Sequence, residues 1–132
     1  MPTRRQFIGK AAVAGSAVMG IPSLSSFPDK KEFFVHHVYF WLKNPDSPDD
    51  KNKLIEGLKK LSKVKTIRTF HMGQPAPTNR DVIDRSYSIS WLLFFDSKAD
   101  QDSYQSDPVH LKFVEECSSL WAKVIVYDSI DI

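Results

Sequence analysis

The order of periodic segments in this 132-residue chain predicts an α+β sandwich of the form β-α-β-β-α-β. Three observations carry that expectation. Four short runs rich in aromatic and β-branched residues alternate with two stretches whose apolar residues recur at helical spacing. The helices fall between the first and second and between the third and fourth strands, so both lie on one face of a four-stranded antiparallel sheet, the ferredoxin-like arrangement. The first and third strands are apolar on both sides, and the face without helices then needs a cover. A twofold homodimer whose sheets face each other, a dimeric α/β barrel, supplies one.

Residues 1–26 are set apart from this fold. Thr3-Arg4-Arg5-Gln6-Phe7-Ile8 has the paired arginines and following apolar residue of a twin-arginine export signal. A mild Ala/Gly-rich run from Ile8 to Ile21 follows, too short for a stable membrane span, and Ser23-Leu24-Ser25 offers small residues at a cleavage site. A periplasmic protein, with no membrane attachment after signal removal, is expected. The chain has 18 basic and 16 acidic residues, and residues 1–26 hold three of the bases (Arg4, Arg5, Lys10) and none of the acids. Residues 27–132 therefore carry 15 against 16, a balance that excludes a nucleic-acid footprint. The single cysteine, Cys117, has no internal disulfide partner and falls on the apolar side of the last helix.

The fold itself is expected over residues 32–132. Phe33 to Leu42 reads as the first strand, with Phe33, Val35, His37, Tyr39 and Trp41 on one face and Phe34, His36, Val38, Phe40 and Leu42 on the other. Ser47-Pro48-Asp49-Asp50 starts a helix with a hydroxyl cap, a proline at the first position and acids in the first turn. Leu54, Ile55, Leu58 and Leu61 give it an apolar stripe. Val64 to Met72 is the second strand, ending at Gly73, and Gln74 to Asp84 a polar loop. Tyr87 to Phe95 is the third strand, Ser97 with Asp100 caps the next helix, and Lys123 to Asp128 closes the sheet.

The second helical stretch holds the candidate chemistry. Tyr104 and His110 stand six residues apart, which in one unbroken helix is about 600° and leaves the side chains roughly 120° from each other. Asp107-Pro108 interrupts the helix between them: the residue before proline leaves the α region, Asp is a good cap, and proline suits the first helical position. One helix ending near Gln105 and another starting at Pro108 bring the phenol and the imidazole to the mouth of one pocket. Phosphate-cradling glycine loops, Cys-x-x-Cys, His-Glu-x-x-His and Gly-x-Ser-x-Gly are absent from the sequence. His36 and His37 point to opposite faces, so they cannot share a metal within one subunit, and neither a metal nor a cofactor is expected. His37 travels with Tyr39 and Trp41. If that face lines the cavity the three are ligand-binding residues; if it meets the helices, His37 is a hydrogen-bonded core residue.

Val35-His36-His37-Val38-Tyr39-Phe40, Gly73, Phe94-Phe95-Asp96-Ser97 and above all Tyr104-x-x-Asp107-Pro108-x-His110-x-x-Phe113-Val114 resemble the stress-responsive dimeric α/β-barrel domain, over about residues 32–130. The resemblance implies a homodimer with a barrel between two sheets. It also implies a catalytic pair, because in olivetolic acid cyclase, a plant polyketide cyclase of this family, the residues matching Tyr104 and His110 carry the reaction. A first-strand pocket histidine of that family is matched to His37. Asp107 departs from the family, which often has His there; it keeps the cap and alters the charge beside His110. The candidate set is thus Tyr104 and His110 as catalytic, with His37, Tyr39, Trp41, Trp91 and Phe113 binding a small apolar or aromatic ligand.

A neutral imidazole removes a proton α to a carbonyl while a phenol hydrogen-bonds the developing enolate, the chemistry of a cofactor-free cyclase or isomerase. Two other readings compete: a non-catalytic ligand-binding or structural dimer, and a haem-binding dimeric barrel, for which no residue identifies an axial ligand.

Overall fold

The structure, a computed structural model, describes residues 32–132. The export segment expected over residues 1–26 lies outside the described residues. Strand β1 (Phe34–Leu42) leads into helix α1 (Pro48–Leu61), then β2 (Ile67–Gly73) and β3 (Ile89–Phe95). Helices α2 (Lys98–Ser106) and α3 (Pro108–Cys117) follow, and a 3-10 turn at Ser118–Leu120 feeds β4 (Trp121–Ile130). The strands form one antiparallel sheet in the order β2-β3-β1-β4, the ferredoxin-like topology expected of the sequence. No helix of the described residues is long and apolar enough to cross a membrane.

The helix starts follow the capping chemistry of the sequence. The Ser47 hydroxyl accepts from the Asp50 amide at 3.2 Å, and Asp49 and Asp50 sit at the positive end of α1 while Lys59 and Lys60 sit at its negative end. Ser97 does the same for α2, accepting from the Asp100 amide at 3.1 Å. Asp107 is extended (φ −64°, ψ 137°), ends α2 and starts α3, its carboxylate accepting from the Val109 amide at 2.8 Å.

Strand boundaries differ from the sequence reading: β1 starts at Phe34 and β3 at Ile89, one and two residues later than expected, and β2 and β4 differ more. Val64 is not in β2: its amide bonds back to Leu61, Ile67 bonds to Val64, and the side chain is buried under α1 in a pair of turns. Its apolarity serves the core, not a sheet ladder. Strand β4 extends beyond Lys123–Asp128 at both ends because Trp121 and Ile130 pair with the two ends of β1.

Register assigns the faces. Phe34, Val38 and Phe40 of β1 stand beside Phe95, Trp91 and Ile89 of β3, and these pack with Leu54, Leu58, Leu61, Phe113 and Cys117 beneath the helices. Gly57 lets α1 and α3 approach, since a Cβ there would stand 2.7 Å from Cys117 Sγ and 3.1 Å from the Phe113 ring. On the other face, Val35, His37, Tyr39 and Trp41 line up with Phe94, Leu92 and Ser90, and no described helix covers them. The helical layer reaches Trp121 at the start of β4, against Phe113 of α3, and stops short of the rest of the strand. Val124, Val126 and Ile130 share the helix face through their pairing with Phe40, Val38 and Phe34, yet remain 40–53% exposed.

Candidate functional site

On the helix face, next to that bare strip of β4, the polar side chains of the interior gather. Tyr104 leaves α2 one turn before the break and is 1% exposed, so it sits in the interior and not at a pocket mouth. Its hydroxyl accepts a hydrogen bond from the Trp91 indole Nε1–H at 3.3 Å, which leaves the phenolic proton available for donation. Burial raises the phenol far above its ordinary pKa, only partly offset by the Trp91 hydrogen bond. Tyr104 is therefore a neutral donor near pH 7.

His110 meets Tyr104 edge-to-face, ring centres 4.7 Å apart. The Asp107-Pro108 break makes this possible, because α3 restarts on a new axis and returns its first turn towards the end of α2. His110 is half-buried and links the interior phenol to the surface. Desolvation pushes its pKa below the ordinary imidazole value of 6.5 and the nearby His36 adds to this, while the Gln105 backbone and the Asp107 carboxylate pull upward. Nδ1 of His110 is buried and has no partner in full hydrogen-bond geometry, the Gln105 backbone lying close enough only to raise its pKa. A neutral imidazole with an unpaired nitrogen beside a neutral phenol is a base next to an acid.

The third member was not expected from the sequence. His36 of β1 is 6% exposed, its ring 5.9 Å from Tyr104, and its Nδ1–H donates to Asp128 Oδ1 of β4 at 2.6 Å. A carboxylate only accepts, so this contact fixes the proton on Nδ1 and the orientation of the ring. The signal lay in β4: Asp128 is the one acid in the run Lys123-Val124-Ile125-Val126-Tyr127-Asp128, and a half-buried carboxylate calls for a cationic or N–H partner on the paired strand.

The expected ligand set divides between the two faces of the sheet. Trp91 and Phe113 lie on the helix side with Tyr104 and His110; Trp91 touches the phenol, and the Phe113 ring centre is 6.5 Å from that of His110. His37, Tyr39 and Trp41 lie on the open face, so the matching of the first-strand pocket histidine to His37 is corrected here. Alternation along β1 puts His36, not His37, beside Tyr104. His37 is occupied instead with Tyr39, whose hydroxyl stands 3.3 Å from its Nδ1, and desolvation together with His71 and His36 lowers its pKa. Cavities occur away from the Tyr104 cluster: one of about 460 Å³ between α1 and α3, lined by Gly57, Val109, Phe113 and four lysines, and one of about 350 Å³ beside the open face. Among the described residues no group of three or more His, Cys, Asp or Glu is arranged to hold a metal ion.

The same architecture recurs in solved proteins. A Dabb family protein with a ferredoxin-like fold from Mesorhizobium loti superposes with a TM-score of 0.65 at 20% identity, over 77% of this chain and 99% of that one. A hydroxynitrile lyase from Passiflora edulis does so with a TM-score of 0.65 at 21% identity, over 77% and 95%. A dimeric ferredoxin-like protein of unknown function from Thermobifida fusca gives 0.62 at 16% identity, over 76% and 92%. At these identities the likeness is one of fold. No curated protein matches the sequence. The sequence model of the stress responsive A/B barrel domain, Dabb, matches residues 34–131, from the first residue of β1 to beyond the last of β4. The chain belongs to the stress responsive A/B barrel domain family.

Proposed function

We propose that this protein is an exported homodimer that performs cofactor-free acid/base chemistry on a small carbonyl compound with an acidic C–H bond. The observation that carries the reading is the buried meeting of a neutral phenol, a neutral imidazole with an unpaired nitrogen, and a second imidazole anchored to a carboxylate. His110 takes the α-proton, the C–H electron pair passes into the enolate, and the Tyr104 O–H donates to the enolate oxygen. The enolate carbon then attacks a second carbonyl of the same molecule. The new C–C bond leaves an alkoxide, which recovers the proton from the His110 imidazolium. Groups held by packing in a water-poor interior do this without reorganisation. The Asp128-anchored His36 orients the substrate oxygen, and the exposed Val124 and Val126 offer its apolar part a resting surface.

The hydroxynitrile lyase with this fold supports the reading, because carbon–carbon cleavage beside a hydroxyl makes the same demand for one positioned base and one donor. Homodimerisation rests on the uncovered face of Val35, Leu92 and Phe94 and on the neighbours described as dimeric. Export to the periplasm rests on Arg4-Arg5 and the apolar run behind them.

The test is α-proton exchange of small aryl and alkyl ketones in D2O, followed by NMR. General-base catalysis predicts an acceleration of about 10²- to 10⁴-fold by the wild type that is lost in His110→Gln and reduced in Tyr104→Phe. Exchange no faster with wild type than with His110→Gln across the panel overturns the proposal.

A further inference from the structure

A cleft of about 460 Å³ runs between α1 and α3, floored by Gly57, Val109 and Phe113 and rimmed by lysines. We propose that this cleft binds a medium-chain alkyl carboxylate, with the chain on the floor and the anion at Lys60 and Lys63. Leu54, Leu58 and Leu61 turn the other side of α1 to the sheet, so Lys59 and Lys63 fall on the outward side of the helical layer. The cleft is therefore remote from the open sheet face on which a partner subunit is expected, and a dimer closed through that face leaves it accessible. Neither Tyr104 nor His110 lines it, so this site and the acid/base cluster can fail separately.

Helical spacing builds the floor. Val109 and Phe113 stand four residues apart and follow one another along α3, and Gly57 of α1 has no side chain to fill the space beside them. Val109 is 39% exposed although apolar, because nothing in the cleft covers it. The lining runs from Glu56 to Lys63 on one helix and from Val109 to Glu116 on the other, about 10 Å of helical rise on each. Lysine side chains extend the apolar walls with their methylene stems while keeping their ammonium heads in water. The volume lies within the range of small-molecule sites, roughly 300–1,000 Å³.

The charges around this floor do not cancel. Four lysines line it with two glutamates, and both glutamates are engaged: Glu56 pairs with Lys59 at 3.2 Å and Glu116 with Lys112 at 3.8 Å. Lys60 and Lys63 line the same cleft, and among the described residues no carboxylate stands within ion-pair distance of either. Three residues apart, they are neighbours on the surface of α1, so a single carboxylate can reach both. An apolar floor with two unpaired ammonium groups at its edge fits an amphipathic anion. A neutral alcohol leaves the lysines unpaired, and an alkylammonium is repelled by them. Glu56 and Glu116 at the rim oppose a second negative charge, which favours a carboxylate over a phosphate monoester.

The experiment titrates the full chain, its valine methyl groups isotopically labelled, with sodium octanoate, octan-1-ol and octylammonium chloride, following the methyl resonances and the heat of binding. Octanoate is expected to bind about fivefold or more tighter than octan-1-ol at low salt, with the advantage shrinking as salt is added. Octylammonium is expected to bind more weakly than either. The Val109 methyls should move while those of Val124 and Val126, beside the acid/base cluster, stay in place. Lys60 and Lys63 are exposed, so Lys60→Gln/Lys63→Gln leaves the fold intact and brings octanoate down to the affinity of octan-1-ol. Val109→Ser removes part of the floor and weakens both ligands alike, about threefold. No binding of octanoate, equal binding of octanoate and octan-1-ol, octanoate affinity unchanged in the double variant, or movement of the Val124 and Val126 methyls alone overturns the proposal.

Discussion

At the level of single residues, protonation explains most of what the site can do. Burial lowers the folded-state pKa of His110 below 6.5, so on acidification the unfolded chain takes up the proton first. Its contribution to stability is full above the unfolded value and is lost as pH falls from about 6.5 towards the folded pKa. The lowered pKa of His37 acts in the same sense. Chemical denaturation at a series of pH values should therefore show stability falling below pH 6.5, with a shallower slope in His110→Gln. The phenol of Tyr104 is the acceptor for the Trp91 indole, and Tyr104→Phe leaves a buried N–H unpaired. A loss of about 1 kcal/mol in urea denaturation is expected, the bond being long at 3.3 Å.

Tyr104 and His110 were legible as residues because the Asp-Pro break between them is a local signal. His36 was not. Alternation along β1 divides the residues into two sets but does not say which set meets the helices when both are apolar. Only the packing of the helices onto the sheet, which sets His36 beside Tyr104 of α2, decides it.

Between elements, the break and the helix contact are the two places where a small change should travel. Asp107 caps α3, and Asp107→Ala is expected to cost about 0.5–2 kcal/mol and to loosen the approach of His110 to Tyr104. Asp107→Asn keeps the cap but removes a charge that raises the His110 pKa. It should retain stability while shifting the acid limb of any His110-dependent activity to lower pH, which a pH–rate profile measures. At the α1–α3 contact, Gly57→Ala gains about 1 kcal/mol of helix propensity but drives a methyl to 2.7 Å from Cys117 Sγ. A lower melting temperature is predicted, with partial recovery in Gly57→Ala/Cys117→Ala.

The helix caps and the order of elements could be read from the sequence because they depend on neighbours along the chain. The boundary of β2 could not, since Val64 has the side chain of a strand residue and the role of a core plug.

For the molecule as a whole, one sheet serves two purposes. Its helix face encloses the phenol and imidazoles within a single chain, and its open face presents Val35, Leu92 and Phe94 without a described helix over them. Leu92 lies on the inner strand β3, beside His37 of β1 and His71 of β2. Leu92→Lys should place a charge in the middle of a subunit interface, and sedimentation equilibrium should show a dimer for wild type and a folded monomer for the variant. The greasiness of both faces of β1 and β3 made the need for a cover legible; which face carried the polar cluster required the folded register. The most direct test of the central claim is an NMR titration of the full chain with acetohydroxamate, a small enolate mimic. The account predicts that the His110 imidazole and Trp91 indole resonances move while those of His37 and Trp41 stay in place. Movement of His37 and Trp41 alone, or of none of the four, would contradict it.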